Sequence, residues 1–320
     1  MSGGAKLAVR VTQVTTVNAL IKRFRFATRD CSPLPAFSGG AHTVVEMDDH
    51  GTRRLNPYSL MSDPADTSAY EISVRRDDTG RGGSLYLHNH VTPGMDMTIS
   101  NPINLFPLDT RARKILMIAG GIGITPFIAQ IAQLSRQNRA FELHYAARSP
   151  SLAAYLDSLK AAHPGRVHGY FDDQNQQIDL QNLLKTQPLG THLYVCGPKG
   201  MINWVLTTAE AMGWPKGGLH HEEFLAPGTG LPFQARLAAS GKTITVGSAQ
   251  SLLEAIEAAG VDAPYMCRGG ACGQCETTVL SCDGHILHRD HWLTPQDMAS
   301  GQKIMPCVSR FEGTTLVIDR

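Results

Sequence analysis

The rhythm of hydrophobic and polar positions changes twice along the chain. In the first third, apolar and polar residues alternate in short runs broken by Gly, Pro and Asp. Residues 7–12, 42–47, 71–75 and 97–100 are the clearest strands of this kind, and residues 86–90, after a glycine-rich turn, would form a short helix. Period-two alternation buries one face of a strand, so several short strands at this spacing predict a small antiparallel β-barrel.

Near Arg111 the texture becomes continuously apolar. Residues 114–119 (KILMIA) read as a parallel strand covered on both faces. A helix is expected over 127–137, a strand over 141–146 and a helix over 152–161. Strands at 166–170 and 192–196 and a helix at 201–212 complete the series. Alternating strands and helices imply an open parallel α/β sheet. Residues 225–232 (LAPGTGLP) interrupt this as a linker. Beyond them come strands at 234–239 and 242–246, a helix at 251–259 with Ser251 and Glu254 at capping-box spacing, and a last strand at 315–318. The chain is therefore expected to be multidomain, with an antiparallel β-barrel at 1–110, an α/β unit at 111–226 and a cysteine-bearing unit at 227–320.

Charge narrows the function. A formal charge of +1 lacks the basic surplus of a nucleic-acid binder and offers no polybasic membrane contact. Residues 1–11 lack signal-peptide architecture, and no apolar run approaches the roughly 20 residues of a membrane span. The expectation is a cytoplasmic protein.

Of seven cysteines, Cys267, Cys272, Cys275, Cys282 and Cys307 crowd into the last fifth. Such crowding reads as a metal or cluster site rather than a disulfide framework. Cys267-x4-Cys272-x2-Cys275, with Cys307 some thirty residues later, is the plant-type spacing for a [2Fe–2S] cluster, in which four thiolates complete two tetrahedral irons. Gly269, Gly270 and Gly273 permit the tight backbone this needs. A structural zinc site is the alternative, and Cys282 competes with Cys307 as fourth ligand. Cys307 is preferred because Pro306-Cys307-Val308 leads towards the last strand, leaving Cys282 as a buried thiol.

Gly120-Gly121-Ile122-Gly123-Ile124-Thr125-Pro126 follows an apolar strand and opens a helix, where backbone N–H groups and the helix dipole favour a pyrophosphate. A packing turn would also explain these glycines. Tyr194-Val195-Cys196-Gly197-Pro198 is a second loop of this kind, so both would open at the carboxyl edge of one sheet. The histidine pairs His220-His221 and His88-x-His90 suggest metal hooks, but no third ligand is evident, and surface or hydrogen-bonded roles are preferred.

These two loops and the downstream cysteines together resemble the ferredoxin–NADP reductase superfamily, and most closely the phthalate dioxygenase reductase family, over essentially the whole chain. The resemblance implies a flavin barrel, a nicotinamide domain and a plant-type ferredoxin of β-grasp fold, in that order. It implies FMN in preference to FAD, and NADH. Asn56-Pro57-Tyr58-Ser59-Leu60 occupies the place of the family's flavin motif, with Tyr58 on the ring and Ser59 near its N5. The motif's Arg is Asn56 here, so Arg54 or Arg53 would supply its charge. Gly80-Arg81-Gly82-Gly83-Ser84 resembles the phosphate loop. Cys196 would lie near the nicotinamide, Phe224 would shield the flavin, and Arg148 would meet the adenosine end.

A pyridine nucleotide gives two electrons together, whereas a [2Fe–2S] centre takes one at a time; a flavin mediates between them. Plant-type clusters lie near about −400 mV and Rieske centres between about −150 and +300 mV, so delivery to a Rieske-type terminal oxygenase is downhill. The partner is expected to dock transiently at residues 268–274. The chain itself shows no C-x-H…C-x-x-H Rieske pair. A cytochrome or diiron hydroxylase as acceptor, or a ferredoxin-like carrier without hydride chemistry, are the rival readings.

Overall fold

The computed structural model describes residues 6–49, 51–225 and 228–320. Within the expected linker, residues 226 and 227 lie outside the described residues, as do residues 1–5.

Seven strands build the first sheet: β1 (Lys6–Asn18), β2 (Ile21–Ala27), β3 (Ala41–Asp49), β4 (Thr52–Ser59), β5 (Tyr70–Arg75), β6 (Asp96–Ser100) and β7 (Ile103–Asn104). The order is β4-β3-β6-β1-β2-β5, with β7 beside β3, and each pairing is antiparallel. The sheet curls until its end strands β4 and β5 approach one another. Its inner face carries Val11, Phe24, Phe26, Val45, Tyr70 and Ile72, all buried. Helix α1 (Gly83–His90) plugs one side through Leu87. The alternation expected at residues 7–12 extends to a thirteen-residue strand. Strands β2 and β4 were not anticipated, because clusters of Lys and Arg obscure their period (IKRFRFA, TRRLNPYS).

The second sheet holds β8 (Lys114–Gly120), β9 (Ala140–Ala147), β10 (Val167–Phe171), β11 (Thr191–Cys196) and β12 (Leu219–Glu222) in the order β10-β9-β8-β11-β12, all parallel. Helices α2 (Thr125–Arg136), α3 (Leu156–Ala162), α4 (Leu180–Lys185) and α5 (Lys199–Ala211) connect them. The strand 114–119 is buried on both faces, as its apolar run requires. Strand β12 and helix α4 were missed, being short and half-polar.

The last sheet comprises β13 (Phe233–Leu237), β14 (Lys242–Val246), β15 (Thr277–Cys282), β17 (Lys303–Ile304) and β19 (Thr315–Ile318), ordered β14-β13-β19-β15-β17. Strands β16 (His285–Leu287) and β18 (Arg310–Glu312) form a separate ribbon. Helix α6 (Leu252–Ala258) covers the sheet, and the Ser251–Glu254 capping box forms as its spacing foretold. Helix α7 (Pro295–Ser300) precedes β17. The parallel β13–β19 pair flanked by antiparallel neighbours, with one helix packed across, is the β-grasp arrangement.

Among the described residues, no helix is long and apolar enough to cross a membrane.

Candidate functional site

Strand β4 ends with Tyr58 and Ser59 at the wall of a cavity of about 400 Å³, within the usual range for cofactor pockets. Arg81, Ser84, Phe224 and Cys267 line the same cavity, so residues of all three sheet regions meet there. Burial pushes the Tyr58 phenol up to about 12, while Asn56 Nδ2 donates to it at 3.3 Å. Ser59 Oγ is buried without a hydrogen-bond partner. Arg81 spends one nitrogen, Nη2, on both carboxylate oxygens of Glu254 at 2.6 and 2.8 Å, which leaves its buried Nε and Nη1 unpartnered. Ser84 Oγ accepts from the Asp77 backbone N–H at 3.0 Å.

Buried polar atoms normally have partners, and these face a cavity at the N-terminus of α1. A ligand with a hydrogen-bonding ring edge and an anionic tail would complete them, which fits the flavin phosphate expected from the sequence. Arg54 pairs instead with Asp49 at 2.8 Å and abuts Gly82. Asn56 takes the motif's Arg position against the loop itself: a Cβ on Gly83 would lie 2.3 Å from Asn56 Nδ2. Leu60 is not brought to the cavity; it sits in the barrel core.

The parallel β11–β12 register sets Cys196 beside Glu222. Glu222 lines the cavity and is half-buried, with Oε2 enclosed and without a partner. Burial raises its carboxyl to about 8, so it is mostly uncharged at neutral pH. The Cys196 thiol is also pushed well up, by burial first and then by Glu222. Cys196 lines neither of the two cavities, because Gly123 packs directly over it: a Cβ there would meet Cys196 O at 2.3 Å. Phe224, which in isolation reads as core, is 46% exposed at the cavity mouth. Glu223 pairs with His291 Nε2 at 3.0 Å, tying this segment to the last unit. No role for Glu222 is expected from the sequence; its place two residues before Phe224 was the one signal available.

A second cavity of about 510 Å³ opens at the carboxyl ends of the parallel strands. Gly120, Gly121, Arg148, Asp172 and Pro198 line it, and Ile122 and Arg75 line both cavities. The two Gly–Pro loops therefore do converge. Thr125 faces the first cavity and donates its hydroxyl to Ile122 O at 2.9 Å, whereas Pro126 is buried at the start of α2 and Gly197 packs on Gly120.

Cys267, Cys275 and Cys307 are buried and Cys272 is half-buried. Their thiols form two hydrogen-bonded pairs: Cys272 lowers the Cys267 thiol, and Cys307 lowers that of Cys275. Backbone N–H groups add to this, Gly269 donating to Cys267 Sγ at 3.3 Å. Gly273 has φ 75°, and Trp292 lies 2.2 Å from where a Cβ would be, so only glycine fits beneath that ring. Four convergent thiols with peptide N–H donors suit an iron–sulfur cluster. Cys282, expected as a buried thiol, is instead exposed, because it ends β15 beyond the last buried position of that strand; its Sγ is directed to Gly284 O at 3.6 Å.

Arg268, placed by the sequence reading within a docking loop, is buried. It pairs with Glu257 and stacks 3.8 Å over the Tyr265 ring. Among the histidines, His88 Nε2 is held on Val74 O at 2.8 Å. His220 is hydrogen-bonded to His192 at 3.0 Å, and Asp109 lies beside the pair.

Residues 99–219 match the model for "Dimethylamine monooxygenase subunit DmmA-like, N-terminal domain", and residues 236–312 match "2Fe-2S iron-sulfur cluster binding domain". The heme-dependent oxidative N-demethylase beta subunit of Ectopseudomonas mendocina (strain ymp) is 44% identical over 98% of both chains. The carnitine monooxygenase reductase subunit of Acinetobacter baumannii is 43% identical over 97% of this chain and 96% of its own. A solved phthalate dioxygenase reductase, described as a modular structure for electron transfer from pyridine nucleotides to [2Fe–2S], superposes with a TM-score of 0.89 at 33% identity. That match covers 99% of this chain and 98% of the other.

Proposed function

The chain belongs to the phthalate dioxygenase reductase-like family, and from that premise we propose that it carries electrons from NADH through FMN and a [2Fe–2S] cluster to a Rieske-type terminal oxygenase. It is an oxidoreductase of the oxygenase-reductase kind, with a flavin, a pyridine nucleotide and a [2Fe–2S] cluster as its cofactors. A bound flavin, held by Tyr58, Ser59, Arg81 and Ser84, would supply the chemistry that links two-electron hydride donation to single-electron acceptance.

One observation carries the reading most: Cys267 lines the same cavity as Tyr58, Ser59 and Phe224, so the cluster thiols share a wall with the flavin pocket. In this assignment residues 1–110 hold the flavin, 111–226 the nucleotide and 227–320 the cluster. Tyr58 and Ser59 flank the ring; Arg81, Gly82, Gly83 and Ser84 take the phosphate. Gly120, Gly121, Gly123, Thr125, Pro126, Arg148, Gly197 and Pro198 shape the nucleotide site, with Glu222 and Phe224 around the transfer point and Cys196 packed behind Gly123. Cys267, Cys272, Cys275 and Cys307 ligate the irons.

FMN is preferred because the resemblance implies it, and Glu254 at the start of α6 closes against Arg81 of the phosphate loop. NADH is preferred because Asp172 shares the nucleotide cavity with Arg148, and a carboxylate accepts from a ribose hydroxyl but repels a 2′-phosphate. A cytoplasmic setting suits thiols that must stay reduced until metallated.

A heme acceptor is the second reading, favoured by the 44% identity to a subunit of a heme-dependent N-demethylase. The partner would dock where Ala271 and Trp292 are exposed over the cluster, in a transient contact of under about 1,200 Å². The test is an anaerobic absorption spectrum before and after NADH, with the flavin extracted and identified. Bleaching of both flavin and cluster bands supports the reading. A protein that binds no flavin after reconstitution sinks it. Reduction of purified Rieske against heme oxygenases separates the two acceptors.

A further inference from the structure

We propose that Asp109, His192 and His220 form a zinc-binding site on the nucleotide sheet that fastens the segment entering that sheet onto strands β11 and β12. The three ligands come from three separate stretches of chain, yet their ligating atoms all lie within 4.8 Å of one another. His192 Nδ1 is 3.0 Å from His220 Nε2 and 3.6 Å from Asp109 Oδ2. Ligand atoms about 2.0–2.1 Å from a tetrahedral zinc are spaced by about 3.3–3.4 Å, so the observed separations bracket the required ones.

Strand register explains the convergence. Tyr194 pairs with His220 in the parallel β11–β12 ladder, and His192 lies two residues before Tyr194, on the same face. Leu193, Val195 and Leu219 point to the opposite, apolar face. The His220 ring stacks on Tyr194 at 4.3 Å and lies within 17° of the plane of His192, which fixes the direction of both nitrogens. Tyr194 also anchors the third ligand. Its hydroxyl accepts from the Asp109 N–H at 2.7 Å and donates to Pro107 O at 3.0 Å.

Arg111 is the competitor for Asp109, but its side chain is 77% exposed and can turn into solvent. The other three-residue group, Glu142, His144 and His168, lacks that freedom. Lys114 holds Glu142 at 2.6 Å with both side chains largely buried, and Tyr170 OH takes His144 Nδ1 at 2.8 Å. Two imidazoles, one carboxylate and a water would complete the zinc sphere; the site lies apart from both cavities.

The experiment uses holoprotein with measured flavin and iron, titrated with Zn²⁺ against a chromophoric chelator, and zinc-edge X-ray absorption on the complex. One zinc per chain with nitrogen and oxygen but no sulfur ligation is expected. The His220→Gln and His192→Ala variants, at unchanged flavin and iron content, should each bind at least ten times more weakly. Sulfur ligation, absence of binding by the parent protein, or an unchanged affinity in both variants would overturn the assignment. If one variant fails to fold, the other variant and the parent protein's ligation still decide.

Discussion

Arg81 of the barrel loop and Glu254 at the first turn of α6 are joined through a single guanidinium nitrogen, both side chains being only 11% exposed. The pair bridges 173 residues of sequence and holds the last unit against the cavity lined by Tyr58 and Ser59. It also leaves the other nitrogens of Arg81 free for an anion. Removing one partner of a buried pair strands the other charge, at a cost of about 3 kcal/mol or more.

Glu254→Gln is therefore expected to lower stability by an amount of that order. It should slow electron delivery to the cluster several-fold while NADH still reduces the flavin at the parent rate. Stopped-flow absorption that follows the flavin and cluster bands separately checks this. Equal slowing of both phases would refute the bridging role.

Cys272→Ser should abolish cytochrome c reduction, which needs the cluster, and spare NADH-dependent ferricyanide reduction, which the flavin supports alone. Steady-state assays of the two acceptors with measured iron content decide it. Survival of both activities at parent levels would show that the route bypasses these thiols.

Glu222 offers a pH signature. Burial raises its carboxyl to about 8, above an ordinary glutamate value of about 4.3, so the folded chain binds this proton more tightly than the unfolded one. Its contribution is then fully present at acid pH and is lost as pH rises from about 4.3 to 8, by up to about 1.4 kcal/mol per unit. Glu222→Gln should flatten that decline in urea denaturation between pH 5 and 8. A pH dependence identical to that of the parent protein would place the proton elsewhere.

Asp172 is expected to set nucleotide preference. Asp172→Ser should narrow the ratio of kcat/KM for NADH over NADPH by roughly tenfold, the effect of one lost discriminating interaction of about 1.4 kcal/mol. A ratio unchanged within twofold would remove the residue from the specificity argument.

Much of the architecture was legible in the chain. The apolar run at 114–119 became the central parallel strand, because a strand covered on both faces tolerates no polar position. The Ser251–Glu254 spacing foretold a real helix start, since capping acts within one turn. Strands β2 and β4 escaped notice, their alternation masked by long Lys and Arg side chains whose stems pack while their charges reach water.

By itself, the sequence determined what depends on neighbours along the chain: element order, the glycine-rich turns and the cysteine spacing that lets one loop curl around a cluster. Only the tertiary structure decided which distant groups face one another. It brought Cys267 to the cavity of Tyr58 and Ser59, enclosed Glu222 Oε2 without a partner, turned Cys282 outward, and gathered Asp109, His192 and His220. Desolvation and charge pairing act through space, and their strength is set by the burial and distance that packing creates.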